Sequence, residues 1–260
     1  MFSKNLKFAI VAAAACLATN VASAVNAAEW GSIKGRVVVD GAAPTVAPLA
    51  VDNKDPFCLA AKPVNQSIVV GKDNALENAV VYLRVATGQK VDIHPNYDAE
   101  FKKPVVLDNS GCEFHPHVTL VRKGQALTIK NGDPTGHNTN IALFAFNQTV
   151  PAKGQIDIKA SVAGPIPNPV VCNIHAFMKG HILSLDHPYM TTSAPDGTFE
   201  IKNIPVGTHE FQLWHEAAGY LKNVKTKSGA TDARGRAKLK IAAGETLDLG
   251  DIKVPASSLK

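Results

Sequence analysis

Two stretches decide how this chain reads: Leu127-Thr-Ile-Lys-Asn-Gly-Asp-Pro-Thr-Gly-His137-Asn138 and Cys172-Asn-Ile-His175-Ala-Phe-Met178-Lys-Gly180. In the first, Leu127 and Ile129 alternate with Thr128 and Lys130, the period of a half-buried strand, and Asn131-Gly132 closes it with a turn signal. That strand and turn deliver His137. In the second, a thiol, an imidazole and a thioether stand on one short loop, and Gly180 suits a chain re-entering a strand. Three ligands on a loop between adjacent strands converge on one point, and the fourth, His137, comes from another strand. Two imidazoles and a thiolate with a weak axial thioether form a trigonal copper site whose soft and borderline donors suit both oxidation states. Zinc would accept the cysteine and histidines but has no use for the thioether.

Working outward, the dominant period along the chain is two. Ile33, Val37 and Val39, then Ile156 and Ile158, Phe199 and Ile201, Phe211 and Leu213, and Leu239 and Ile241 each alternate with polar neighbours. Asp40-Gly41, Asn131-Gly132, Asp196-Gly197 and Val206-Gly207 separate them as turns. Only Tyr97–Lys102 and His215–Tyr220 read as short helices. The expectation is an all-β chain of one or two sandwiches.

The first 28 residues read as a cleavable export signal, with Lys4 and Lys7 before an apolar run from Phe8 to Ala18 and an Ala22-Ser23-Ala24 cleavage site. No later apolar run is long enough for a transmembrane helix. The expected location is therefore periplasmic or secreted. Losing the leader lowers the formal net charge from +5 to +3 and removes Cys16, leaving Cys58, Cys112 and Cys172. The basic residues are scattered, which excludes nucleic acid as a partner. With 45% hydrophobic and 19% charged residues the chain is composed as a folded globule. In an oxidising compartment two of the three cysteines can pair. Cys58 with Cys112 reads as a disulfide tying a long loop to the start of the metal-bearing segment; two buried thiols are the alternative.

Phe114-His-Pro-His-Val-Thr-Leu-Val-Arg-Lys-Gly-Gln-Ala-Leu-Thr-Ile-Lys-Asn131, His137-Asn138 and the Cys-x2-His-x2-Met loop together resemble a cupredoxin, with the short ligand loop of amicyanin. The resemblance implies a Greek-key sandwich over residues 104–189. It implies His137, Cys172, His175 and Met178 as ligands of one Cu(I)/Cu(II) ion, with Asn138 hydrogen-bonding to steady the cysteine loop. The aromatic strand that precedes the cysteine in that family is replaced by Pro169-Val-Val, which puts the packing around the thiolate in question. Gly31-Ser-Ile-Lys-Gly-Arg-Val, Glu77-Asn-Ala-Val-Val-Tyr-Leu83 and Asp196-Gly-Thr-Phe-Glu-Ile-Lys-Asn-Ile-Pro-Val-Gly-Thr-His209 resemble a carboxypeptidase regulatory-like, transthyretin-like β-sandwich. Its blocks are separated here, so one sandwich (29–103 and 190–260) is expected to be interrupted by the other (104–189). The whole chain is similar to exported bacterial proteins loosely labelled methylamine-utilisation or cupredoxin-like.

The function implied is that of a one-electron carrier rather than an enzyme, with a protein redox partner. His175 would be the exit edge, and Phe177 with Ala176 an apolar docking collar. Copper buffering or delivery, or a structural β-module with a vestigial site, are the other readings. The sequence lacks the extra histidine sets of a multicopper oxidase. His115 and His117 flank Pro116 and form either a second metal site or a hydrogen-bonded pair. His94 and His187 each precede a proline and read as turn formers.

Overall fold

The structure is a computed structural model that describes residues 1, 29–51, 54–86 and 88–260. The expected leader, Met1 apart, lies outside the described residues, as does Cys16. The chain is all-β. Its strands are β1 (Trp30–Asp40), β2 (Val80–Arg84), β3 (Val105–Ser110), β4 (Glu113–His115), β5 (Val118–Arg122), β6 (Ala126–Asn131), β7 (His137–Ile141), β8 (Phe146–Val150), β9 (Gln155–Lys159) and β10 (Asn168–Val171). They continue as β11 (Lys179–Leu185), β12 (Met190–Thr192), β13 (Thr198–Pro205), β14 (Gly207–His215), β15 (Gly219–Tyr220), β16 (Lys225–Thr226), β17 (Gly229–Ala230), β18 (Arg236–Ile241) and β19 (Thr246–Pro255). Two short helices, α1 (Pro56–Ala61) and α2 (Asn96–Phe101), lie in the connections. Among the described residues no helix is long and apolar enough to cross a membrane.

Strands β3 to β11 pair only with one another, in a four-stranded sheet ordered β4-β3-β6-β9 and a five-stranded sheet ordered β5-β11-β10-β7-β8. The chain passes repeatedly between these sheets, the weave of a Greek key, and β3–β6 and β5–β11 are consequently parallel. Leu107, Leu127 and Ile129 from one sheet and Ile141, Val170 and Ile182 from the other share one buried core. Most of the remaining strands form a second sandwich, and β16 and β17 pair as a separate hairpin. The order β13-β1-β19 makes one sheet, and β12-β2-β14-β15 with β18 on β14 makes the other. Ile33, Val37, Val81, Phe199, Phe211 and Ile252 meet in its core.

The two sandwiches are stacked. In β2, Val81 and Leu83 point into the second sandwich while Val80 and Tyr82 point the other way, onto Val118, Leu183 and Leu185 of β5 and β11. Trp214 of β14 joins this seam. A strand buried on both faces reads as an unbroken apolar run, which is why Val80-Val-Tyr-Leu83 lacks the period of two. His215–Tyr220 is not a helix: β14 runs to His215, and after a turn the chain returns as β15, pairing Trp214 with Tyr220. Apolar spacing there reflects a hairpin returning on the core. Helix α2 occupies nearly the expected positions.

Candidate metal centre

The loop from Cys172 to Met178 closes the hairpin of β10 and β11, whose register pairs Val171 with Lys179. Cys172 N–H donates to the Met178 carbonyl (3.2 Å) and Met178 N–H to the His175 carbonyl (2.8 Å), so the loop is tightly wound. Strand β7 lies beside β10, which brings His137 and Asn138 alongside. His137, Cys172 and His175 are all buried, and one ligand atom from each lies within 4.8 Å of the others. The two imidazoles face each other through Nδ1 at 3.0 Å, and Cys172 Sγ is 3.8 Å from His175 Nδ1. Met178 is buried in the same core as Cys172.

The sulfur accepts two backbone hydrogen bonds, from Asn138 N–H and His175 N–H, each at 3.3 Å. The Asn138 side chain accepts from Asn173 N–H (3.1 Å) and donates to Asn147 (2.9 Å), tying β7 to the cysteine loop.

Two carboxylates that the sequence did not single out complete the site. His137 Nε2 lies 2.9 Å from Asp133 Oδ2, and His175 Nε2 lies 3.0 Å from Asp55 Oδ2. A carboxylate oxygen accepts, so each Nε2 donates, which leaves each ring's Nδ1 facing the other ring and the sulfur. Burial holds the His137 imidazole below its usual range, against the pull of Asp133, so the ring stays neutral. Two ring nitrogens and a sulfur within 4.8 Å of one another, with carboxylates on the far ring edges, are an arrangement that could hold a cation.

The carboxylates are themselves anchored. Asp133 accepts from Gly111 N–H (2.7 Å) and Cys112 N–H (2.8 Å). Asp55 caps α1 through Cys58 N–H (3.0 Å) and accepts from Thr135 Oγ1 (3.1 Å). Burial would raise the Asp55 carboxyl, but these bonds together hold it below its ordinary range. Cys58 and Cys112 form a disulfide with Cα atoms 5.5 Å apart, so each half-cystine amide is bonded to a carboxylate that holds one of the facing histidines. Asp55 was detectable as a helix cap, because Asp55-Pro56 is an N-cap and N1 pair; nothing in the sequence linked it to His175.

Several expectations change. The His175 edge is not an open exit: Asp55 covers its Nε2, and the side chain is only 5% exposed, because the disulfide pins α1 over it. Phe177 is half-buried: it packs against the core that holds Cys172 and Met178, its ring centroid 5.7 Å from that of His175, and it also lines a cleft beside His117. Ile174, 53% exposed, is the apolar side chain that the loop presents outward. His115 and His117 do not converge. His115 ends β4 in one sheet, 3.4 Å from Glu113, whereas His117 leads into β5 in the other and meets Glu216. His94 and His187 do form turns, each accepting at Nδ1 the N–H two residues on.

No family model matches the chain, and no curated protein matches it. Among solved structures it is similar to an oxidised mutant of amicyanin, with 18% identity and a TM-score of 0.28 over 31% of this chain and 81% of that one. Amicyanin from Paracoccus versutus gives 16% identity and a TM-score of 0.29, over 40% and 96% of the two chains. A Cu-containing nitrite reductase from Thermus scotoductus gives 23% identity and a TM-score of 0.28, over 38% of this chain and 24% of that one.

Proposed function

We propose that the chain holds one copper ion between His137, Cys172 and His175, with Met178 as a weak fourth ligand, and that it carries single electrons outside the cytosol. The observation that supports this most directly is the convergence of two Nδ1 atoms and a hydrogen-bonded sulfur, with both Nε2 atoms committed to carboxylates. Copper, when bound, supplies a one-electron Cu(I)/Cu(II) couple. The chain's residues hold the donors at fixed separation, exclude water by burial and keep both imidazoles in one tautomer. The Cys58–Cys112 disulfide and the leader-like first 28 residues support export. Exposed Ile174 and Ala176 on the ligand loop support a protein redox partner. In this reading residues 104–189 are a cupredoxin interrupting an outer transthyretin-like sandwich of 29–103 and 190–260.

The test is optical. Copper-loaded protein should show an intense visible thiolate-to-copper band that Cys172→Ala abolishes. Met178→Leu should keep the colour and raise the potential. A colourless protein with an ordinary square-planar EPR spectrum would overturn the reading. The covered His175 edge favours a second one, copper buffering or delivery. Fast reversible voltammetry supports the carrier, whereas sluggish exchange with metal passing to a chelator supports the handler.

A further inference from the structure

A second cluster of donors lies at the seam between the sandwiches. His117, just before β5, and His181, in β11, come from the inner sandwich; Glu216, just after β14, comes from the outer one. His117 Nε2 is 2.5 Å from Glu216 Oε2, and His181 Nδ1 is 3.5 Å from the same oxygen. All three side chains are largely buried, at 5%, 15% and 20% exposure in the order His117, His181, Glu216. Gly180 makes the approach possible. A Cβ there would stand 2.9 Å from the His117 carbonyl, the oxygen that accepts His181 N–H at 2.8 Å.

An ion pair explains half of this arrangement. His117 and Glu216 satisfy each other, whereas the buried His181 Nδ1 reaches the same carboxylate only at 3.5 Å, an ion pair too long for a good hydrogen bond. A buried polar atom without a good partner is costly to the fold. A divalent cation would engage all three groups at once. With metal–nitrogen distances of about 2.0–2.1 Å, tetrahedral donors stand roughly 3.3 Å apart. The His181–Glu216 spacing is already close to that, and the His117–Glu216 spacing has to widen by under about 1 Å. His215 is no competitor for the ion, since its Nδ1 accepts Ala217 N–H at 3.2 Å and its ring also donates to the Glu77 carbonyl. The remaining side faces a cleft of about 460 Å³ lined by His117, Glu216, Ala176, Phe177 and Met178.

We propose that His117, His181 and Glu216 form a second metal site, a two-histidine, one-carboxylate site for a divalent transition cation such as Zn2+, with water in the position that faces the cleft. The ion ties the inner sandwich to the outer one. Two imidazoles and one carboxylate are a donor set that zinc accepts in open sites.

The inference is independent of the copper reading, and the two fail separately. Full-length Cys172→Ala protein, titrated with Zn2+ in a calorimeter, should lose one equivalent when His181→Gln or Glu216→Gln is added. The affinity at the lost site should fall at least about 100-fold. Trp214 packs against His181 with ring centroids 5.0 Å apart, so Ni2+ should quench its fluorescence stoichiometrically in Trp30→Phe protein, and Glu216→Gln should abolish the quenching. If the seam variants fold poorly, the Ni2+ titration of Trp30→Phe protein decides alone. Zinc stoichiometry unchanged by both substitutions, or Trp214 fluorescence indifferent to one equivalent of Ni2+, would overturn the proposal and leave a structural ion pair.

Discussion

Asp133 concentrates more of the site's architecture than any ligand does. It takes hydrogen bonds from Gly111, Cys112 and His137, so one carboxylate fixes a turn, a half-cystine and a candidate ligand. Asp133→Asn should lower copper affinity about 10–100-fold, the usual cost of losing a partner to a metal-binding histidine. The lost negative charge weakens Cu(II) more than Cu(I). A loss confined to Cu(II) would raise the potential by roughly 60–120 mV, at about 59 mV per tenfold. Voltammetry and competitive copper titration check both numbers; an unchanged potential counts against a role for Asp133 in tuning. At this scale the candidate donors stood out in the sequence and the carboxylates behind the two histidines did not. Cys172, His175 and Met178 share seven residues of sequence, and soft and borderline donors so close together carry their own chemical meaning. Asp55 stands 120 positions from His175, and no local pattern encodes a contact made through a disulfide-pinned helix.

At the scale of elements, two features hold the connections in place. Helix α1 has six residues, too few to be stable alone, so its position over His175 depends on Asp55 capping it and on Cys58. The disulfide spans a sequence separation of 54, and closing a loop of that size stabilises the fold by about 4 kcal/mol in the chain-entropy account. Cys58→Ser with Cys112→Ser should lower the unfolding free energy of the apo-protein by about that much, measured in urea, and make bound metal exchange faster as α1 leaves His175. The second feature is His187, on the return from β11 to β12. It accepts Tyr189 N–H at 3.2 Å. Burial holds its imidazole down to about 4, against the opposing pull of Asp186 and of its bond to the Leu83 carbonyl. The unfolded chain takes up this proton near pH 6.5 and the folded one only near pH 4. Full stability is therefore present above pH 6.5 and is lost as pH falls towards 4, by about 3 kcal/mol in all. Urea unfolding at pH 7 and pH 4.5 should show most of that fall in the parent and much less of it in His187→Gln. The His-Pro pair was visible in sequence as a turn, but its burial was not, because burial here comes from the sheets on either side.

The described residues form two stacked sandwiches of two sheets each, with a small β16-β17 hairpin beside them, and the central seam joins two cores that could otherwise unfold apart. Period-two segments revealed the strands, and the reappearing G-x-V and D-G-x-F textures hinted that distant segments belong together. The stacking was hidden, because a strand such as β2 that faces two cores loses its alternation. Leu183 is fully buried at the seam, opposite Val80, Tyr82 and Trp214. Leu183→Ala should cost about 3 kcal/mol, as expected for a large-to-small change in a packed site, while leaving the ligand loop in place. Leu183→Asp is the sharper test, since an unpaired charge there cannot be buried without a larger cost. Both tryptophans, Trp30 and Trp214, lie in strands of the outer sandwich, whereas the copper colour would report on the inner one. In the parent protein the chain passes between the sandwiches four times, because α1, between β1 and β2, packs on the inner one, and the apolar contact couples the halves, so fluorescence and colour should be lost together as urea rises. Bound metal stabilises only the state that binds it. Once Leu183→Asp opens the seam, the outer sandwich should unfold first, and the fluorescence transition should precede bleaching at lower urea. Coincident transitions in Leu183→Asp would mean that the chain crossings and the Cys58–Cys112 bridge, rather than the buried seam, make the molecule one cooperative unit.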